Sequence, residues 1–247
     1  MTNKEFSEEF DILFNNIMSN QAPGLDDYEK SVFLTTAQEQ LVIQLYSGKY
    51  NFTNSLEQTE ELSQYLGNLL LTAESVSLTD VDFAENILPL NGKFKNSIVT
   101  LNDVHTSQMW YIVYEAVTST KIVCEYPEYS IVVPTTADTL YRLLKNPFKR
   151  PNSKRVFRLY SEMPTTHEPG LNIELIYDKD YSIDKYKVRY LKRPQPIILQ
   201  NLPEGLSIND KTTESKCELH TALHREILNK AVLLAGQSFM DKNIQQK

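Results

Sequence analysis

Glycine is scarce in this chain, seven residues in 247, and none of the patterns Gly-x-Gly-x-x-Gly, Walker, Gly-x-Ser-x-Gly or His-Glu-x-x-His is present. With so few glycines there is little backbone to cradle a phosphate, and without those spacings there is no ready nucleophile or metal-binding helix. The expectation is a protein that is not an enzyme and uses no cofactor. Its two cysteines, Cys124 and Cys217, lie far apart and fit neither a disulfide framework nor a paired redox or metal site. No stretch approaches the ~18 apolar residues of a spanning helix, and the opening Met1–Phe6 lacks the apolar block of a signal peptide. A chain made in the cytoplasm with no membrane partner is expected.

The net charge of −7 conceals an uneven distribution. Residues 1–90 hold 3 basic and 15 acidic side chains, whereas residues 91–247 hold 22 basic and 17 acidic. A chain polarised in this way favours association with further copies or neighbours, through specificity and rate more than affinity.

Apolar spacing divides the chain into three regions. Phe6, Phe10, Leu13, Phe14 and Ile17 predict an amphipathic helix over 4–18, with Glu5, Glu8, Glu9 and Asp11 near its positive end. Asp26 with Glu29 forms a capping-box pattern ahead of a second helix that runs to Gly48, and Ser55 with Gln58 repeats the signal before a third. From about residue 72 the period shortens. Strands are predicted at 97–101, 109–117, 121–125, 130–133, 156–161, 171–177 and 185–191, interrupted by one helix over 136–145. Leu219, Leu223, Ile227, Ala231 and Leu234 then form a closing helical stripe. The fold class expected is α+β: residues 1–71 as N-terminal helices, 72–200 as a sandwich- or barrel-like β domain, and 201–247 as a linker and C-terminal helix. The last of these packs on the first to complete a helical bundle.

Three constellations invite a chemical reading. Cys217, His220 and His224 share helical spacing and zinc-binding character, but they supply only three ligands, with His167, His105 or Cys124 as the possible fourth. They read better as a helix start with capping or interfacial histidines, so no metal is expected. Asp178, Asp180 and Asp184 read as turn formers. The run 145–158 carries six basic residues and no acid, and Lys149, Arg150, Lys154 and Arg155 are candidates for contact with an acidic protein or, alternatively, with nucleic-acid phosphates. Over 181–192 the alternation is clean: Tyr186, Val188 and Tyr190 lie on one face, Lys185, Lys187 and Arg189 on the other, and Pro194 and Pro196 end the strand. Its cationic face is either an edge guarded by lysine or a docking surface.

Four stretches together resemble the ring proteins of the neck and tail of crAss-like bacteriophages: EFSEEFDILFNNIMSNQAPGLDDYEKS at Glu5–Ser31, NPFKRPNSKRVFRL at Asn146–Leu159, RYLKRPQPIIL at Arg189–Leu199, and CELHTALHREILNKAVLLA at Cys217–Ala235. Through Leu219, Leu223, His224, Ile227 and Ala231 the last also resembles the C-terminal helix of head-to-tail adaptors of short-tailed phages. The resemblance implies a virion structural subunit made in the host bacterial cytoplasm. It would stand in a ring of about a dozen copies between portal and tail, with DNA passing through the channel without sequence-specific binding. Portal and neighbouring ring or tail proteins would be its partners. A nucleic-acid-associated virion or host-takeover protein is the alternative.

Overall fold

The computed structural model of the chain describes residues 1–17, 24–47, 64–81, 93–101, 103–123, 126–161 and 172–245. They form two compact units, Met1–Leu70 with Arg193–Lys247, and Leu71–Lys192. The class is α+β. Among the described residues no helix is long and apolar enough to cross a membrane.

In the first unit α1 (Asn3–Ile17) buries Phe6, Phe10 and Phe14, spaced by four so that they stack on one face. The second helix, α2 (Asp27–Tyr46), starts at the capping box: Glu29 N–H donates to Asp26 Oδ1 at 2.7 Å, and Asp26 N–H to Glu29 Oε2 at 3.2 Å. These bonds satisfy amide groups that a helix start leaves open, so Asp26→Ala is expected to cost about 1 kcal/mol in a thermal melt. An unchanged midpoint would contradict that role. The long closing helix, here α5 (His224–Gln245), packs on α1 and α2, with Phe14 and Phe239 rings 5.6 Å apart and Lys230 donating to Gln44 at 2.8 Å. The third helix expected from Ser55 and Gln58 lies outside the described residues as far as 63, and a 3-10 turn follows at Gly67–Leu69.

Arg193–Leu199 belongs to this unit. It runs extended with Ile197, Ile198 and Leu199 buried, yet among the described residues its backbone pairs with another segment only at Ile198 and Ser215. Side chains of α2 supply most of its other partners. Leu199 N–H donates to Ser31 Oγ (3.0 Å), Ile197 N–H to Thr35 Oγ1 (3.1 Å), and Gln38 Nε2 to the Gln195 carbonyl (2.7 Å). From α1, Asn3 Nδ2 donates to the Ile198 carbonyl at 3.1 Å.

The second unit is one curled sheet rather than two stacked ones. Its strands are β1 (Leu70–Glu74), β2 (Ser77–Val81), β3 (Phe94–Thr100), β4 (Met109–Lys121), β5 (Pro127–Pro134), β6 (Arg155–Ser161), β7 (Asn172–Asp178) and β8 (Tyr181–Lys192), in the order β1-β8-β4-β5-β6-β7-β3-β2. All the pairs with a given register are antiparallel except β5 with β6. Its two ends, β1 and β2, are separated only by Ser75 and Val76, which donate to Tyr186 and Thr100 carbonyls at 2.8 Å each. The order therefore returns on itself through the bent segment 70–81. The strand expected at 121–125 is not separate: β4 continues through Thr118-Ser119-Thr120, whose alternation keeps Ser119 inside, and turns at Ile122 and Val123. A short helix, α3 (Asp103–Gln108), precedes β4, and His105 Nδ1 lies 2.9 Å from the Tyr190 hydroxyl.

Alternation sorts the sheet's residues. Val99, Val117, Val132, Val156, Leu175, Tyr186, Val188 and Tyr190 fill the inside. On the outside Phe157 and Ile176 are buried under Leu140 of α4 (Ala137–Lys145).

Candidate partner interface

Lys185, Lys187 and Arg189 point outward along β8, opposite buried Tyr186, Val188 and Tyr190. β8 is not an edge strand, since it pairs with β4 along nearly its whole length and has β1 on its other side. Lysine that guards an open edge is therefore not its role. Register carries the face onward: Lys187 stands opposite Ala116, Ala116 opposite Ile131, and Ile131 opposite Arg155; in the next row Lys185 meets Thr118 and Thr118 meets Tyr129. Three inter-strand steps span about 15 Å. The two basic stretches, distant in sequence, thus flank one strip of sheet.

Between them the strip is apolar and uncovered by any described residue: Tyr114 is 55% exposed, Tyr129 82% and Ile131 56%. An apolar centre with charged margins is the composition of a protein interface more than of a solvated surface. Acid is present too, for Glu74 lies 3.4 Å from Lys187, and Asp184 accepts from Thr120 at 2.6 Å. Both contacts are exposed and contribute little.

The loop before β6 is held by its own side chains. Asn146 accepts from Phe148 N–H (3.0 Å) and Asn152 from Lys154 N–H (2.9 Å), while Arg155 Nη2 donates to the Phe148 carbonyl (3.1 Å). Arg155 thereby ties the loop back onto the strip, and Lys149, Arg150 and Lys154 remain exposed on it. At its tip Phe148 is 89% exposed.

One member of the basic run is not at the surface. Arg158 shares the inward side of β6 with Val156, and its Nε lies 3.1 Å from Glu115 Oε2, itself inward on β4 beside Val117. The contact is ionic rather than a directed hydrogen bond, because Arg158 Nε and Nη1 are buried and find no hydrogen-bond acceptor among the described residues. Tyr186 hydroxyl donates to the other carboxylate oxygen at 2.5 Å. Burial pushes the Glu115 carboxyl up, and the Tyr186 bond and Arg158 charge draw it part of the way back. This is a buried structural cluster inside the sheet.

Cys217, His220 and His224 go to separate partners. Cys217 Sγ donates to Gln38 Oε1 at 3.2 Å, and burial raises its thiol to about 11. His220 Nδ1 accepts from Ala222 N–H at 3.3 Å. His224 packs against Phe6 and lies 3.1 Å from the Leu219 carbonyl, with burial lowering its pKa. Asp178 closes its own turn by accepting from Asp180 N–H.

A family model described as phage tail ring protein 3/4 matches residues 1–247. Among curated proteins the chain is 41% identical over 238 residues to "Ring protein 3" of Bacteroides phage crAss001, covering 95% of each chain. To "Ring protein 4/5" of the same phage it is 33% identical over 250 residues, 97% of this chain and 94% of the other.

Proposed function

This chain belongs to the phage tail ring protein 3/4 family, and on that premise we propose that it is a structural subunit of a closed ring in the neck or tail of a phage virion, joining portal to tail around the DNA channel. The match of the family model along the whole chain carries this reading. About a dozen copies, stacked on the portal or on neighbouring rings, would meet through two different surfaces of one subunit, as any head-to-tail ring requires. The working parts are a helical bundle made from both chain ends and a β unit made from the intervening sequence. The seven cations around the bare sheet strip are its partner contacts.

Charge supports a conduit to which DNA does not adhere. The unit of residues 1–70 and 193–247 holds 10 basic and 17 acidic side chains, net −7, whereas residues 71–192 hold 15 of each, net zero. The whole net charge thus sits on the helical unit, which repels phosphate at long range. No catalytic step is needed for such a role.

Mixing the purified protein with its portal and neighbouring virion proteins should give closed rings by electron microscopy, and the chain should appear in mass spectra of virions. Absence from both would end this reading. The isolated chain is a poor test, because ring closure can depend on the partners.

A further inference from the structure

Half of the outer face of the curled sheet lies under α4, while the half made by β8, β4 and β5 is bare among the described residues. We propose that the bare half is the docking surface for the acidic helix α1 of the next copy in the ring, an inference that rests on the ring reading above. A head-to-tail ring must carry both complementary surfaces on each subunit. The sheet strip offers cations at Lys185, Lys187 and Arg189 on one side, Arg155 on the other, and Tyr114, Tyr129 and Ile131 between. Its occupant should present carboxylates around one exposed apolar side chain.

The outward stripe of α1 has that composition. Glu5, Glu8 and Ile12 follow helical spacing on the side opposite buried Phe6, Phe10 and Phe14, and Ile12 is 60% exposed. Glu9 and Asp11 are engaged within the chain by Arg225 and Lys30, and Glu5 Oε2 accepts from Thr2 N–H at 2.7 Å, which leaves its other oxygen for a partner. Among the described residues Glu8 meets only Lys4, across an exposed turn, a contact that a partner's cations can replace at little cost. Dimensions agree as well. Glu5 to Ile12 covers about 10 Å of helix, and Lys185 to Arg189 covers about 13 Å of strand. Docked in this way, the two carboxylates reach the β8 cations while Ile12 enters between Tyr129 and Ile131. Such pairing fixes orientation and register around the ring.

The test is charge reversal in the full chain, read as ring yield on the portal and neighbouring proteins. K185E/K187E/R189E and, separately, E5K/E8K should each lower the yield at least about tenfold, since like charges then face each other. Combining the two sets in one chain should restore it. As a readout independent of variant stability, E8C and K187C placed in separate chains of a C124S/C217S background should cross-link on oxidation when mixed during assembly. If wild-type protein forms no ring, the ring reading itself fails. If wild type forms rings and both reversed variants do so equally, with no cross-link, this docking is overturned and the ring reading stands. Rings that survive reversal while salt-sensitive DNA retention is lost would also overturn it, and would assign the strip to phosphate.

Discussion

Glu115→Leu is expected to destabilise the β unit by about 3–5 kcal/mol in urea or thermal unfolding, the range for removing one partner of a buried ion pair. The loss is large because of what remains. With Nε and Nη1 already lacking a hydrogen-bond acceptor among the described residues, the Arg158 guanidinium would be left inside the sheet without a counter-ion. Arg158→Met leaves the more adaptable partner, since a carboxyl can take up a proton and stay hydrogen-bonded to Tyr186. It should therefore cost less. A third chain, E115L/R158M/Y186F, removes both charges and the hydroxyl that would lose its acceptor, and should recover most of the wild-type stability. If that chain is no better than E115L, the cluster does not act through uncompensated charge.

The same cluster makes a signed prediction for pH. Glu115 has its folded pKa raised above the ordinary 4.5, chiefly by burial, so its contribution is fully present below that value and is lost as pH rises toward the folded value. Arg158 is one of the two influences that lower it. Without that guanidinium the folded value rises further, and the deficit of R158M relative to wild type should be smallest near and below pH 4.5 and widen above it. A deficit that shrinks with rising pH would contradict the assignment.

Local period was enough to read several elements. The stripe from Phe6 to Ile17 marks α1, the Asp26 and Glu29 pair marks the start of α2, and alternation from Tyr186 to Tyr190 separates a dry face from a cationic one. Those features depend on neighbours in sequence. Strand order does not, and so the sequence leaves the cationic face of β8 open between a guarded edge and a docking surface, whereas β4 and β1 flank the strand in the fold. For the same reason the basic residues near 150 and near 187 were separate features; only the parallel pairing of β5 with β6, added to two antiparallel pairs, sets them around one strip. Arg158 was legible in principle, because the alternation that turns Val156 inward turns Arg158 inward as well. Its place at the end of a cationic run masks that period. The split of charge shifts likewise once the units are drawn by contact, from a dipole along the sequence to a neutral β unit and a helical unit of net −7.

A polar stripe on α2 departs from the ordinary rule for amphipathic helices. Ser31, Thr35 and Gln38 follow one face at helical spacing, and a polar stripe on an amphipathic helix is ordinarily its solvent side. Here all three are buried, and they hydrogen-bond the extended chain from Gln195 to Leu199, whose apolar side chains are buried in the same unit. A buried extended segment without strand neighbours must find donors and acceptors somewhere, and a row of short polar side chains supplies them. The triple variant S31A/T35V/Q38L is therefore expected to damage the helical unit more than its exposure to solvent would predict. Each orphaned buried group costs about 1–3 kcal/mol, and because the three share one segment their effects should not simply add. The control is Thr36→Val on the exposed side of the same helix, where the hydroxyl only bonds back to the Val32 carbonyl and the change should stay within about 0.5 kcal/mol. Hydrogen exchange gives the local readout: amide protons of Ile197 and Leu199 should be protected in wild type and exchange much faster in the triple variant. Protection that persists there after the three substitutions would show that the apolar contacts of Ile197, Ile198 and Leu199 hold the segment unaided, and that the polar stripe is dispensable.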